Sequence, residues 1–120
     1  MWLKVRPFLE VPQNKIPVVH DLAKSLKISP SSLERHLKEA VKSGYLVKVS
    51  EKRYFLPEVI TNLKNICRSL CGDSLDGQFT VAQFRDKTGI GRNAVIEILE
   101  FFDLEGTTLR KGNCRILRRR

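Results

Sequence analysis

Two cysteines and a group of basic side chains are the residues of this chain whose types and spacing suggest chemistry. Cys67 and Cys71 lie four residues apart, about one helical turn, which is a spacing that can hold a metal ion. A zinc site needs further ligands, and the two histidines, His20 and His36, lie in the other half of the chain. Three cysteines, an odd number, do not form a disulfide framework. We therefore expect two small buried residues and reduced thiols, with no metal and no cofactor.

The basic side chains are more informative, because they are numerous and unevenly distributed. The chain has 22 Lys and Arg against 13 Asp and Glu, a net charge of +9 over 120 residues. An excess of this size favours a polyanionic partner. From residue 106 to the end the sequence has no acidic residue and six basic ones: Arg110, Lys111, Arg115, Arg118, Arg119 and Arg120.

Several classes of protein are disfavoured by what the sequence lacks. It has no serine with a nearby base, no cluster of carboxylates with metal spacing and no G-x-x-x-x-G-K-[ST] loop for a nucleotide. No apolar run approaches the ~18 residues of a membrane span. Lys4, Arg6 and Pro7 interrupt the opening segment, which therefore does not resemble a signal peptide. We expect a cytoplasmic protein that has no catalytic residues, is not an enzyme and does not contact a membrane.

The elements that position the basic residues occur twice. When the chain is aligned with itself at a shift of 62 positions, apolar, glycine and basic positions keep their phase over more than thirty residues. The matched pairs are Leu22 with Phe84, Ile28 with Ile90, Leu33 with Val95, Leu37 with Leu99, Gly44 with Gly106, Phe55 with Leu117, Lys48 with Arg110 and Arg53 with Arg115. This period indicates one structural unit that is repeated.

The first repeat predicts three helices and a hairpin. Helices are expected at residues 2–9, ended by Pro12 and Asn14, and at residues 18–26. A third helix, capped by Ser29 or Ser31, carries an apolar stripe and ends at a glycine that can adopt positive φ. Strands are expected at residues 45–49 and 53–56. The stripe of the third helix consists of Leu33, Leu37, Ala40 and Val41, and the terminating glycine is Gly44.

The second repeat predicts the same order of elements. Helices are expected at residues 57–71, 81–87 and 92–104, with a polar loop at 72–77 and a turn at 88–91. The third helix is expected to end at Gly106 and to bury the stripe Ala94, Val95, Ile98, Leu99 and Phe102. Strands at 107–111 and 114–117 pair around Gly112 and Asn113, a dipeptide suited to a two-residue turn; we call this hairpin the wing. Three helices followed by a hairpin form a winged helix-turn-helix. The predicted fold class is α+β, mainly helical, with two tandem winged helix-turn-helix domains at residues 1–56 and 57–120.

The charge on the third helices separates the two repeats. In the second repeat this helix carries Glu97, Glu100 and Asp103, with Glu105 just beyond. Carboxylates on its outer face would approach phosphates if the helix entered a DNA groove. In the first repeat the third helix carries both acidic and basic side chains, a pattern typical of a solvent-exposed face. We therefore interpret residues 1–56 as a spacer or platform. The mixed charges are those of Glu34, Arg35, Lys38, Glu39 and Lys42.

Positive charge in the second repeat instead gathers on the wing and at the start of the third helix. Arg92 is the only basic residue of that helix, and Gly89 and Gly91 leave the preceding turn small enough for a phosphate to approach. Such a compact site suits a nucleic-acid loop or bulge better than a long duplex. Two alternatives remain at this point: a regulator that binds double-stranded DNA, and a protein-interaction module whose basic wing meets an acidic partner.

Three ordered motifs resemble the C-terminal end of the bacterial selenocysteine-specific translation elongation factors. The chain's opening Met1-Trp2 and its Asp21-Leu22-Ala23-Lys24 stretch also resemble the preceding winged helix of that family. The resemblance therefore extends over nearly the whole chain and is most specific in the last forty residues. The three motifs are Phe84-Arg85-Asp86-x-x-Gly89-x-Gly91-Arg92, Ile98-Leu99-Glu100-x-Phe102-Asp103 and Gly106-x-Thr108-x-Arg110-x-Gly112-Asn113.

This resemblance implies a function in RNA recognition. In that family four C-terminal winged helices follow a GTP-binding body, and the last one binds the loop and a bulged base of the mRNA hairpin that directs selenocysteine insertion at UGA. The implied partners are an mRNA stem-loop and, only through the rest of a longer factor, the ribosome and selenocysteinyl-tRNA; the chain itself would act as a monomer. Carried over by position, the implied RNA-binding residues are Arg85, Arg92 and Asn93 at the helix-turn-helix and Arg110, Lys111, Gly112, Asn113 and Arg115 in the wing. Asn93 departs from the pattern, since a second basic residue is expected there.

Overall fold

The computed structural model describes residues 2–12 and 15–118. By contacts between Cα atoms the chain divides into two compact units, a first unit (Met1–Ile60) and a second unit (Thr61–Arg120). The predicted helix end at Asn14 and the terminal arginines Arg119 and Arg120 lie outside the described residues. Among the residues that are described, no helix is both long and apolar enough to cross a membrane.

The first unit contains three helices followed by a hairpin. They are α1 (Trp2–Leu9), α2 (Val19–Leu26), α3 (Pro30–Lys42), β1 (Val47–Ser50) and β2 (Arg53–Phe55), with β1 and β2 antiparallel. The three predicted helices are confirmed, and of the two candidate caps it is Ser29 whose hydroxyl accepts a hydrogen bond from the Ser32 N–H. The core side chains include Val5, Leu9, Leu22, Leu33, Leu37, Leu46 and Tyr54.

The first strand begins later than the sequence predicted. Residues 45–49 were expected to be extended, but β1 starts at Val47. The reason is the end of α3: Gly44 adopts φ +82°, and the Tyr45 N–H donates to the Ala40 carbonyl at 2.9 Å. This hydrogen bond satisfies a helix carbonyl that would otherwise have no partner, so Tyr45 belongs to the helix cap and not to the strand.

The second unit repeats the order of elements and adds one strand. Its elements are α4 (Pro57–Asp73), within which the division between the units falls, then β3 (Phe79–Thr80), α5 (Val81–Thr88), α6 (Arg92–Glu105), β4 (Thr108–Lys111) and β5 (Cys114–Leu117). The predicted helices and wing strands are confirmed to within two residues at each end. The sheet has the order β3-β5-β4 with antiparallel neighbours. Strand β3 was not predicted, because two residues show no periodicity.

The buried face of α6 consists of the residues that the helical spacing predicted. All five predicted positions of α6 are buried: Ala94, Val95, Ile98, Leu99 and Phe102. Helix α5 contributes Phe84, whose ring lies 6.2 Å from that of Phe79 in β3. Gly106 ends α6 with φ +89°, as the sequence predicted from its position after the apolar stripe. This core sets the orientation of α6 and of the strands that follow it.

Candidate nucleic-acid interface

A groove of about 620 Å³ lies in the second unit between the start of α5, the outer face of α6 and the wing, which is the β4–β5 hairpin. We call it the α6–wing groove. Six of the eight predicted RNA-binding residues line it: Arg85, Arg92, Arg110, Gly112, Asn113 and Arg115. The other two, Asn93 and Lys111, are exposed but do not line it. Thr80, Ile96 and Glu100 line the groove and were not predicted.

The first turn of α5 lines the groove, and a capping box fixes the residue at which this helix begins. The Thr80 hydroxyl accepts from the Gln83 N–H at 3.1 Å, and the Gln83 side-chain oxygen accepts from the Thr80 N–H at 2.8 Å. This capping box satisfies two N–H groups that helix geometry leaves without partners. Arg85, one turn into the helix, is half exposed and has its Nε 3.8 Å from the Asp86 carboxylate. Asp86 lies on the same helix, so this contact does not connect two elements.

The turn between α5 and α6 brings Arg92 to the rim of the groove. The Thr88 hydroxyl donates to the Phe84 carbonyl at 2.9 Å and accepts from the Ile90 N–H at 3.2 Å. Gly89 adopts φ +72°, and the cap residue Gly91 has no side chain to satisfy the first N–H groups of α6. Arg92 is the first residue of α6, so its charge lies beside the positive end of the helix. An anion bound at this point would be attracted by both the Arg92 guanidinium and the positive end of α6.

The tip of the wing is a tight turn of two residues. Lys111 pairs with Cys114 across the hairpin, which leaves Gly112 and Asn113 as the turn. Gly112 has φ +59°, whereas Asn113 is not among the described residues with positive φ, so Gly112 is the turn residue whose backbone favours glycine. The Arg110 Nε donates to the Gly112 carbonyl at 3.0 Å. This hydrogen bond orients the Arg110 guanidinium, and its terminal nitrogens can still donate to a phosphate.

Arg115 differs from the other predicted contact residues because it is buried. Its side chain is 4 % exposed, and its Nε lies 3.1 Å from Oδ2 and 3.3 Å from Oδ1 of Asp103. The same carboxylate accepts a hydrogen bond from the Thr108 hydroxyl at 2.6 Å. The structure therefore places Arg115 in the floor of the groove and already engaged with a partner.

Two of the four acidic residues of α6 are paired with basic side chains inside the second unit. Asp103 is paired with Arg115, and Glu105 lies 2.9 Å from the Lys64 ammonium group and accepts from the Thr107 hydroxyl at 2.6 Å. The sequence pattern indicated that both were charges on an outer face, which overstated the negative charge available to a partner. Glu100 remains exposed and lines the groove, so one carboxylate still faces any ligand there.

The cysteines have no role in the groove wall. Cys67 is completely buried, and burial raises the pKa of its thiol from 9.0 to about 12; burial also raises the pKa of Cys71. All three cysteines are free thiols. Within residues 2–12 and 15–118, no three histidine, cysteine or acidic side chains are grouped as a metal ion would require.

In the first unit, the outer face of α3 carries the mixed charges that the sequence predicted. Glu34, Arg35, Lys38, Glu39 and Lys42 line a shallow depression of about 340 Å³ together with Ser31. On the hairpin of this unit the Lys48 ammonium group lies 3.0 Å from the Glu51 carboxylate. The described basic residues of this unit are therefore interspersed with acids, unlike those of the wing.

Comparison with known proteins gives one consistent family. A family model described as "Elongation factor SelB, winged helix" matches residues 73–117. The chain is 36 % identical over 100 residues to the selenocysteine-specific elongation factor of Escherichia coli K12, and 31 % identical over 117 residues to that of Haemophilus influenzae. These matches cover 83 % and 98 % of this chain but only 16 % and 19 % of the two relatives. The chain thus spans less than a fifth of the length of the curated relatives that it matches.

A solved structure matches nearly the whole chain. It is described as the mRNA-binding domain of elongation factor SelB from E. coli in complex with SECIS RNA. The TM-score is 0.87 at 33 % sequence identity, and the match covers 98 % of this chain and 93 % of that one. The matched region is a winged-helix domain and not a catalytic one. This chain belongs to the family of the winged-helix domains of elongation factor SelB.

Proposed function

We propose that this chain binds an mRNA hairpin of the SECIS type through the α6–wing groove of its second unit. The observation that carries the proposal is the convergence of Arg85, Arg92 and Arg110 on one groove in a member of a family with a solved SECIS RNA complex. Three guanidinium groups from three different elements can contact phosphates that lie at an angle to one another. That arrangement suits a loop or a bulge, where the backbone changes direction.

Each contact residue has a proposed role that follows from its position. Arg92 and Arg110 donate to phosphates, the first beside the start of α6 and the second from the wing. Arg85 and Lys111 add positive charge on the two sides of the groove. The small turn residue Gly112 lets RNA approach the wing backbone closely.

Reading of individual bases falls to side chains that both donate and accept hydrogen bonds. Asn93 and Asn113 are exposed and carry such amides. The groove has no aromatic side chain among the residues that line it, so arginine planes supply the stacking surface for an unstacked base. The buried Arg115 was predicted from the resemblance as an RNA contact; its place in the floor of the groove favours a different role, which is developed below.

The domain assignment is part of the same proposal. We propose two tandem winged-helix domains, residues 1–56 as a spacer or platform and residues 57–120 as the RNA-binding domain. Support comes from the 62-residue repeat and from the three helices and hairpin found in each unit. The mixed charge on α3 and the basic groove beside α6 support different roles for the two domains.

For a whole factor the proposed mechanism is tethering. A selenocysteine-specific elongation factor that holds the mRNA hairpin through this domain raises the local concentration of its GTP-binding body and of selenocysteinyl-tRNA at the ribosome. Decoding of UGA as selenocysteine then competes with termination. The chain itself would act in the cytoplasm as a monomer, with the ribosome and tRNA contacted by other parts of such a factor.

The test is a fluorescence-anisotropy titration at fixed moderate salt. A stem-loop with a bulged base and exposed loop bases, taken from downstream of an in-frame UGA, is compared with a fully paired RNA and a DNA duplex of similar length. We expect tighter binding to the stem-loop. Equal weak binding to all three ligands would contradict hairpin recognition. Tighter binding to the DNA would favour a DNA-binding regulator, because the pairing of Asp103 and Glu105 with basic side chains reduces the repulsion between α6 and DNA phosphates.

Variants locate the binding face in the same assay. Replacing Arg110 or Lys111 by Ala should weaken binding and reduce the slope of log affinity against log salt by about 0.7–0.9 for each phosphate that the variant no longer neutralises. Replacing Lys38 or Lys42 by Ala removes the same charge from α3 of the first unit and should change affinity much less. Equal losses of affinity from both pairs of variants would indicate that the α6–wing groove is not the RNA-binding face.

A further inference from the structure

The Asp103 carboxylate connects α6 to both strands of the wing. Asp103 lies in the last turn of α6 (Arg92–Glu105), Thr108 is the first residue of β4, and Arg115 lies on β5, the central strand of the sheet. Oδ1 of Asp103 accepts from the Thr108 hydroxyl at 2.6 Å, and both carboxylate oxygens lie within 3.3 Å of the Arg115 Nε. One side chain therefore holds the helix and two strands together.

The donors of this network are buried. Thr108 is 1 % exposed and the Arg115 side chain 4 % exposed, whereas the Asp103 side chain is 23 % exposed. Water therefore has little access to the two donors. A buried guanidinium without its carboxylate would be strongly unfavourable. The network thus ties the position of the wing to that of α6. The two walls of the groove that carry Arg92 and Arg110 are set by these same elements.

The repeat indicates that the architecture itself does not require this network. At the shift of 62 positions, Asp103 and Thr108 correspond to Val41 and Leu46 of the first repeat. Leu46 is part of the apolar core of the first unit, and Val41 packs against it. Three helices and a hairpin therefore form there with apolar side chains at both positions. The polar network belongs to the unit that has the basic groove.

We propose that Asp103, Thr108 and Arg115 are positioning residues that set the separation of α6 and the wing, and that Arg115 supports RNA binding from the floor of the groove without contacting a phosphate. This inference rests on the proposed function. Arg110 pairs with Arg115 across β4 and β5, so a shift of Arg115 displaces the strand that presents the Arg110 guanidinium. Asp103 does not line the groove and acts on it only by holding Arg115 in place.

The direction in which RNA affinity changes when Asp103 is replaced distinguishes a positioning role from a purely electrostatic effect of its charge. Replacing Asp103 by Asn removes a negative charge from beside a proposed polyanion site, and charge alone predicts tighter binding to RNA. Loss of positioning predicts weaker binding. Glu100→Gln is the matched control, because Glu100 is an exposed carboxylate of the same helix that lines the same groove. It removes the same charge and leaves the network intact, so it should tighten binding slightly.

The experiment measures affinity for the stem-loop RNA with the full 120-residue chain, well below the melting temperature, after stoichiometric titration has given the binding-competent fraction of each variant. We expect Asp103→Asn to bind about tenfold more weakly, a loss of about 1.4 kcal/mol of binding free energy. Thr108→Val keeps the side-chain shape and removes only one hydrogen bond, so it should weaken binding less. If circular dichroism shows that Asp103→Asn does not fold, the affinity of Thr108→Val alone tests the proposal.

The outcomes separate the two proposals. Weaker binding by Asp103→Asn and Thr108→Val, with Glu100→Gln equal to or tighter than the wild type, supports the positioning role. Tighter binding by Asp103→Asn, or unchanged binding by both network variants in their competent fraction, overturns it while leaving hairpin binding intact. A wild-type chain that does not prefer the stem-loop over paired RNA overturns the proposed function, and the positioning role with it.

Discussion

Replacing glycine by alanine should have opposite effects at two positions of the second unit, Gly112 in the wing turn and Gly72 near the end of α4. Gly112 has φ +59°, whereas Gly72 has ordinary helical geometry. An added Cβ meets no atom within 4 Å at either position, so steric clash does not distinguish them. The only structural difference that matters is the backbone conformation.

The magnitudes follow from that difference. A left-handed conformation costs an L-residue about 1–2 kcal/mol, and the loss of chain freedom in the unfolded state returns about 0.4–1 kcal/mol. Gly112→Ala should therefore lower the free energy of unfolding by about 1 kcal/mol. Gly72→Ala has no such strain and should raise it by about 0.4–1 kcal/mol. The two variants should thus differ by about 1.5–2 kcal/mol.

Urea unfolding followed by far-ultraviolet circular dichroism measures both values under the same conditions. For a domain of this size a change of about 1 kcal/mol corresponds to about 4–8 °C in Tm, so thermal unfolding provides a second measurement. Changes of the same sign in the two variants would refute the assignment of a positive φ at Gly112. A neutral Gly112→Ala would show that the wing turn contributes little to cooperative unfolding.

Two further predictions concern the stability of the second unit. Thr80→Ala removes one half of the capping box of α5 and should lower the free energy of unfolding by about 1 kcal/mol in urea, whereas Thr80→Ser, which keeps the hydroxyl, should lower it much less; equal losses of stability would mean that the hydroxyl does not cap the helix. Burial raises the pKa of Cys67 from 9.0 to about 12, so the unfolded state releases this proton first as pH rises. The free energy of unfolding should then fall between pH 9 and 12 by up to about 1.4 kcal/mol per pH unit, and Cys67→Ala should show a shallower decline in alkaline denaturation curves; an unchanged slope would contradict the raised pKa.

Helices and caps are the part of this structure that could be predicted from the sequence, because they depend on residues close together in the chain. The spacing of apolar residues predicted the buried face of α6, and Gly44 and Gly106 predicted the ends of α3 and α6. The basic wing beside Arg92 also followed, since the order of the elements brings the hairpin back to the start of the helix. Helix periodicity and turn chemistry involve neighbours within about four residues.

Pairings between distant residues were decided only by the tertiary structure. The sequence pattern indicated that Asp103 and Glu105 were exposed charges, whereas packing brings Arg115 to Asp103 and Lys64 to Glu105. Strand β3 likewise exists because β5 offers it a hydrogen-bonding edge. Whether a charged side chain faces a ligand or a neighbour depends on how helices and strands pack against one another. That packing is set by side-chain volumes throughout the core, which no local pattern contains.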